Sequence, residues 1–438
     1  MSGLFKLVCA DKARALDRLA SARELDADFN ALTALGGRLL GSASEAAACS
    51  WLQQRLGKIP DAPLHVHRFD YSSWASTQSS LELIAGDASK LLACHPLYWS
   101  PATPAAGLEA EVIDAGRGSE AELAPLARAI PGQVVLVRHE YQFARDTVHR
   151  RLKYRQAQQL GAAGFIICNH NPGGLLVTGA CAEDSSQNIP AIGVSFETGA
   201  MLAAAEPRVR LRIATRREPA TGANLIMEAP GQSEQWVVLC AHYDGHDLAQ
   251  SALDNATGVV AAISIFESLR PFVAKLRRGL RLILFTAEET GLTGSRLYLE
   301  WLTAPERRKI AVAINLDTIA GSPRLTSLTS GFEELESFVA QTGTQAGMEL
   351  PCHRPLMRNS DHFNFAQYGV PAMRLIAGFD EPDAGARFLL TEADTPDRVS
   401  MSELTDAALK AGALVWSALE WPGRIAEHRA AVAVKQSP

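Results

Sequence analysis

The chain has 438 residues, with 42 basic and 48 acidic side chains, a net charge of −6 and a hydrophobic share of 47%. That is a folded, soluble composition, too long for one ordinary core, so two domains are expected. No long basic run is present, which argues against nucleic acid as a partner.

The N-terminus, MSGLFKLVCADKARALDRL, has a short apolar piece followed at once by charges. It lacks the long apolar region and small-residue cleavage site of a signal peptide. No apolar run is long enough for a membrane span. Seven cysteines, at 9, 49, 94, 168, 181, 240 and 352, show no close metal-ligand spacing and read as reduced, structural thiols. These features point to a cytoplasmic protein without a membrane partner.

Residues 12–57 carry helical apolar spacing, with the loop Gly36-Gly37-Arg38-Leu39-Leu40-Gly41-Ser42 before the last helix. Strand-like runs follow at 64–69 and 81–84, and a segment with three prolines, 95–107, reads as a crossing. Short apolar strands then recur at 110–113, 134–137, 164–168 and 191–194. Between them lie a basic helix over 148–160 and a turn-rich loop over 169–187. The pattern predicts a small, mostly β unit in which His149, Arg150, Arg151, Lys153 and Arg155 form a solvated helix face.

From Asn224 the pattern becomes strand–helix alternation. Strands 236–241, 280–286, 310–316 and 372–376 alternate with helices 256–269, 293–302, 333–347 and 402–419. Such alternation predicts an α/β fold, a mostly parallel mixed sheet sandwiched by helices. The segment after Trp421 is expected to add little.

Ligands bind beyond the carboxyl ends of such strands. There stand His242-Tyr243-Asp244, Ala287-Glu288-Glu289-Thr290-Gly291 and Asn315-Leu316-Asp317, with Asp254-Asn255-Ala256-Thr257-Gly258 opening the helix after the first strand. Each alone reads as a cap or a solvated group. Together, one imidazole and several carboxylates suit zinc, manganese or cobalt. Asp244, two residues beyond His242 on an extended chain, can orient the ring.

HYDG, DNATG, AEETGLTGS and NLD, followed by Ser360-Asp361-His362 and by Asp394-Thr395-Pro396-Asp397, resemble the co-catalytic zinc peptidase family of aminopeptidase Y, bacterial leucyl aminopeptidase and glutamate carboxypeptidase II. The likeness implies a catalytic domain over 1–74 and 223–422, a protease-associated domain inserted over 75–222, and a tail over 423–438. It implies that His242 and Asp317 bind one zinc, that Asp254 bridges two, and that Glu289 binds the second. Glu288 becomes the general base, Asp244 the residue that orients His242, and Asp254–Asn255 a cis bond. The implied reaction removes N-terminal residues from peptides with a free N-terminus, using a metal-activated water.

One position departs. Leu390 stands where relatives place a zinc-binding histidine, and leucine has no ligand atom. Thr391 or Glu392 could substitute, one ion could suffice, or the chain could be a weak or dead peptide-binding relative. Retention of Glu288, His242, Asp244, Asp254 and Asp317 favours activity. A glutaminyl cyclase, which keeps the late histidine, does not fit. A carboxypeptidase or dipeptidase would need a free cation for the substrate carboxylate, with Arg358 and Arg374 as candidates. His246 reads as an exposed loop residue, and His362 as a non-ligand.

Overall fold

A computed structural model describes residues 2–86, 88–205 and 207–431. The apolar runs become the strands Trp236–His242, Gly279–Phe285, Ile310–Leu316 and Ala372–Ala377, parallel to one another at the centre of a mixed eight-stranded sheet. Side chains alternate across the pleat between two cores. Val237, Leu239 and Ala241 face one core, and Val238 and Cys240 face the other. Helices Thr257–Val273 and Met401–Glu420 close the first core; Thr293–Trp301 and His362–Gln367 close the second. Residues 252–273 are long and apolar enough to cross a bilayer, but 78% of their most apolar window is buried inside the protein.

After Trp236–His242 the chain crosses to Gly279–Phe285 on one side, then to Ile310–Leu316 on the other. The connections therefore diverge at the carboxyl end of Trp236–His242. That divergence opens the crevice in which sheets of this kind hold ligands.

Antiparallel strands Leu64–Ser72 and Pro219–Ala229 extend one edge, and Ser72 is the register partner of Pro219. The intervening chain thus leaves and returns at one point, an arrangement that disturbs a host fold least. It builds a second eight-stranded sheet with Leu108–Asp114, Val134–Arg138, Gly164–Cys168 and Ala191–Val194 parallel at its centre. Helices Arg150–Gln159 and Phe196–Ala205 cover its opposite faces.

Two expectations are corrected. The basic helix is not a solvated face: Arg150, Lys153, Tyr154 and Ala157 are its buried side. Lys153 donates to the Arg138 carbonyl at 2.7 Å and pairs with Glu140, which makes burial of its charge tolerable. The segment after Trp421 is also not idle. Ile425 and Ala426 are buried, and the Arg429 N–H donates to the Gly369 carbonyl at 2.9 Å. Residues 432–438 lie outside the described residues. Cys49, Cys94, Cys168, Cys181, Cys240 and Cys352 are free thiols.

Candidate metal centre

The strand Trp236–His242 ends by delivering a fully buried His242 into the crevice. Its Nε2 lies 3.1 Å from Asp254 Oδ1 and 3.7 Å from Asp317 Oδ1. Its Nδ1 lies 3.2 Å from the Asp244 carbonyl oxygen and 3.5 Å from Asp244 Oδ1. The two Asp244 carboxylate oxygens accept the N–H groups of Glu288 and Glu289, at 3.1 and 3.2 Å. Asp244 thereby ties the loop after one strand to the loop after its neighbour.

His242, Glu288 and Asp317 each offer a ligand atom, all within 4.8 Å of one another. Despite its carboxylate neighbours, His242 Nε2 makes no hydrogen bond, and Glu289 Oε1 is buried without a partner. An imidazole nitrogen surrounded by carboxylate oxygens at poor hydrogen-bonding angles fits a divalent cation between them. Asp254 reaches His242 but stands outside the tightest group, as does Glu289.

The electrostatics follow from burial. Burial and then nearby carboxylates push Glu288 and Glu289 well above the usual carboxylate range. Burial and Asp317 push Asp254 up as well. For His242, burial opposes protonation, but Glu288, Asp244, Asp254 and Asp317 outweigh it and hold the ring well above its ordinary value. Burial would also raise Asp317, yet the guanidinium of Arg374 at 3.1 Å, joined by His242, holds it well below. Asp361 is buried, with both oxygens unpartnered, and is pushed up to about 7, chiefly by burial. So many carboxylates gathered out of water are costly unless a cation shares the space.

A second set of residues fixes the first. Asp394 accepts the N–H groups of Leu253 and Asp254, at 2.7 and 3.3 Å, and so positions the Asp254 loop. His246, expected to be exposed, is fully buried against Asp394 at 3.3 Å, and its Nδ1 accepts the Leu248 N–H. With both ring nitrogens engaged, it is a support and not a ligand. Arg38 is buried and donates to the carbonyls of Tyr243, Gln250 and Ser251, at 2.8, 2.7 and 2.9 Å. A Cβ at Gly37 would fall 2.3 Å from the His246 carbonyl oxygen, so only glycine fits there. The Asp254–Asn255 bond is cis. His362 is buried with both nitrogens unpartnered, outside the His242 group, and is held down to about 3 by burial and by Arg374.

Leu390 is buried, and its carbonyl accepts the Thr178 N–H of the inserted unit at 2.9 Å. Thr391 donates its hydroxyl to the Phe388 carbonyl at 2.6 Å. Glu392 accepts the Leu176 N–H at 3.0 Å. Both substitutes that the sequence left open are therefore engaged elsewhere. The inserted unit also grips the other site loops. Trp99 donates to the Thr290 carbonyl at 2.7 Å, Tyr98 to Asp247 at 2.9 Å, and Tyr141 to the Gly378 carbonyl at 2.5 Å. Sequence reasoning missed these three aromatics; the run Leu97-Tyr98-Trp99 inside the proline-rich crossing was the signal available.

Residues 224–415 match the family model described as Peptidase family M28, and residues 87–202 match the PA domain. Residues 224–415 thus resemble an M28 peptidase domain, and residues 87–202, which precede them, resemble a PA domain. The probable leucine aminopeptidase 2 of Arthroderma benhamiae is 27% identical, over 68% of this chain and 61% of that protein. The chain thus spans less than two thirds of that relative's length. Aminopeptidase YwaD of Bacillus subtilis is 24% identical, over 88% of this chain and 82% of its own. Among solved structures, a zinc aminopeptidase from Bacillus subtilis superposes with a TM-score of 0.71 at 21% identity, covering 94% of this chain and 97% of that one. The peptidase M28 precursor of Shewanella amazonensis gives 0.79 at 19% identity, covering 96% and 98%. These likenesses to solved structures establish the fold.

Proposed function

We propose that the chain is a metal-dependent aminopeptidase that removes N-terminal residues from short peptides. The observation that carries this reading is His242 Nε2, buried without a hydrogen bond, between the carboxylates of Asp254 and Asp317. The names of the curated relatives, leucine aminopeptidase 2 and aminopeptidase YwaD, support the same reading.

His242, Asp254 and Asp317 would hold the ion, with Glu289 beside them. A divalent ion there, zinc by the donor set, supplies a Lewis acid and lowers the pKa of water. Asp244 holds the His242 ring from behind, so its Nε2 stays aimed into the crevice. Glu288 is the general base. Burial raises its proton affinity, so it can take a proton from water and return it to the leaving amine. The carboxylate excess favours a free substrate ammonium over a blocked N-terminus. Arg374 is held in a buried pair with Asp317 and so is not free to take a substrate carboxylate, while Arg358 is an exposed side chain paired with Glu183 at the surface.

The test is a mixture of unblocked, N-acetylated and C-amidated peptides, incubated with zinc, manganese or cobalt and read by mass spectrometry. Stepwise N-terminal loss from unblocked and C-amidated peptides, but not from acetylated ones, is expected. C-terminal trimming, or no cleavage with any metal, would refute the assignment.

A further inference from the structure

The site has donors for one ion but not for two. On the side of the missing histidine, only Glu289 and a shared Asp254 remain. Leu390 offers nothing, and Thr391 and Glu392 hold partners of their own. A zinc site uses at least three protein ligands. The second position does not meet that requirement.

The PA domain brings a cation, Arg150, to the neighbourhood of Leu390. Thr178, which holds the Leu390 carbonyl, is followed by Gly179, whose backbone lies against the Arg150 guanidinium. A Cβ at Gly179 would fall 2.4 Å from an Arg150 Nη atom. Arg150 is buried and donates Nε–H to the Ala180 carbonyl at 2.9 Å. One of its Nη atoms lies 3.4 Å from His139 Nε2, and burial and Arg150 itself hold that ring well below its ordinary value, hence neutral. Arg151 is next in sequence, and its Nε is buried without a partner.

Among the described residues, neither arginine has a carboxylate within ion-pair distance. Yet the carboxylate that acts most strongly on Arg150 is Glu289, and the one that acts most strongly on Arg151 is Glu288. A buried guanidinium, Arg150, and a half-buried one, Arg151, neither with a carboxylate in ion-pair distance, thus act across the boundary on the buried Glu289 and Glu288. Buried charges of one sign are costly alone, and opposite charges across the domain boundary offset part of that cost.

We infer that the chain holds a single divalent ion, at His242, Asp254 and Asp317, and that Arg150 and Arg151 of the PA domain supply beside Glu289 the positive charge that a second ion would bring. This rests on the metallopeptidase reading above. It makes the PA domain part of the active centre, and it explains how Leu390 can stand where a ligand is lost.

The experiment is zinc stoichiometry on the full chain. Chelated protein is titrated calorimetrically with zinc, and dialysed zinc-loaded protein is measured by mass spectrometry of the metal. The wild type is expected to hold one tight equivalent. Leu390→His with Arg150→Gln and Arg151→Gln is expected to hold two, the second at least tenfold tighter than in Leu390→His alone. Arg150→Lys, which keeps the charge, should stay at one. Circular dichroism confirms that each variant is folded, and the wild-type count stands without any variant. Two tight equivalents in the wild type would overturn charge substitution and leave the metal centre intact. No tight zinc in the wild type would overturn the metal centre itself. A folded triple variant that still holds one equivalent would overturn the role of the arginines.

Discussion

Arg374→Met should destabilise the protein by an amount that depends on bound metal. Arg374 and Asp317 are 1% and 2% exposed and meet at 3.1 Å. At an effective dielectric of about 20, unit charges at that separation attract by about 5 kcal/mol. Removing one partner of a buried pair costs about 3–5 kcal/mol, because the other charge is stranded. Methionine keeps much of the stem volume against the Phe143 ring, over which the guanidinium lies at 4.9 Å, so the loss is mainly electrostatic. Asp317 also faces His242, and an ion held between them would restore the missing compensation. The expected cost is therefore about 3–5 kcal/mol in chelated protein and about 1–2 kcal/mol in zinc-loaded protein. Urea unfolding, followed by tryptophan fluorescence with chelator and with zinc, measures both. Equal losses in the two conditions would show that no cation shares Asp317.

Three further outcomes are expected. Glu288→Gln should lower kcat by about 10²–10⁴ while zinc content, read by metal mass spectrometry, stays that of the wild type. Trp99→Phe removes the hydrogen bond to the Thr290 carbonyl and part of a buried ring. It should cost about 2–3 kcal/mol in chemical denaturation and lower kcat/KM, because packing is lost and the loop that carries Glu288 and Glu289 loses a tether. Asp247 is more than a third exposed; its partial desolvation pushes its pKa up, but hydrogen bonds from His95 and Tyr98 outweigh this and hold it below the usual range. Its contribution is therefore fully present above the unfolded pKa, about 3.9, and is lost as pH falls through the lower folded value. Asp247→Asn should flatten the decline of Tm below about pH 4, as calorimetry across pH would show.

The larger α/β domain was legible because its strands are continuous apolar runs that end in the site residues. His242 and Asp244 share a strand end, and Glu288 and Glu289 directly follow the neighbouring strand. What stayed hidden was the burial of charge. Arg38 binds the Tyr243 carbonyl across 205 positions of chain, a pairing that no local pattern encodes. His246 looked exposed because its partner, Asp394, lies 148 positions away. The basic helix was misread on composition, although its periodicity was correct. Arg150, Lys153, Tyr154 and Ala157 follow the i, i+3, i+4, i+7 spacing of a buried face. Cations at those positions were the signal that the helix faced something other than water.

The most direct measurement is anomalous diffraction at the zinc edge, on crystals of the full chain grown with zinc. A peak about 2.0–2.2 Å from His242 Nε2 and from carboxylate oxygens of Asp254 and Asp317 is predicted. Well-ordered density for these side chains with no anomalous peak between them would contradict the metal centre.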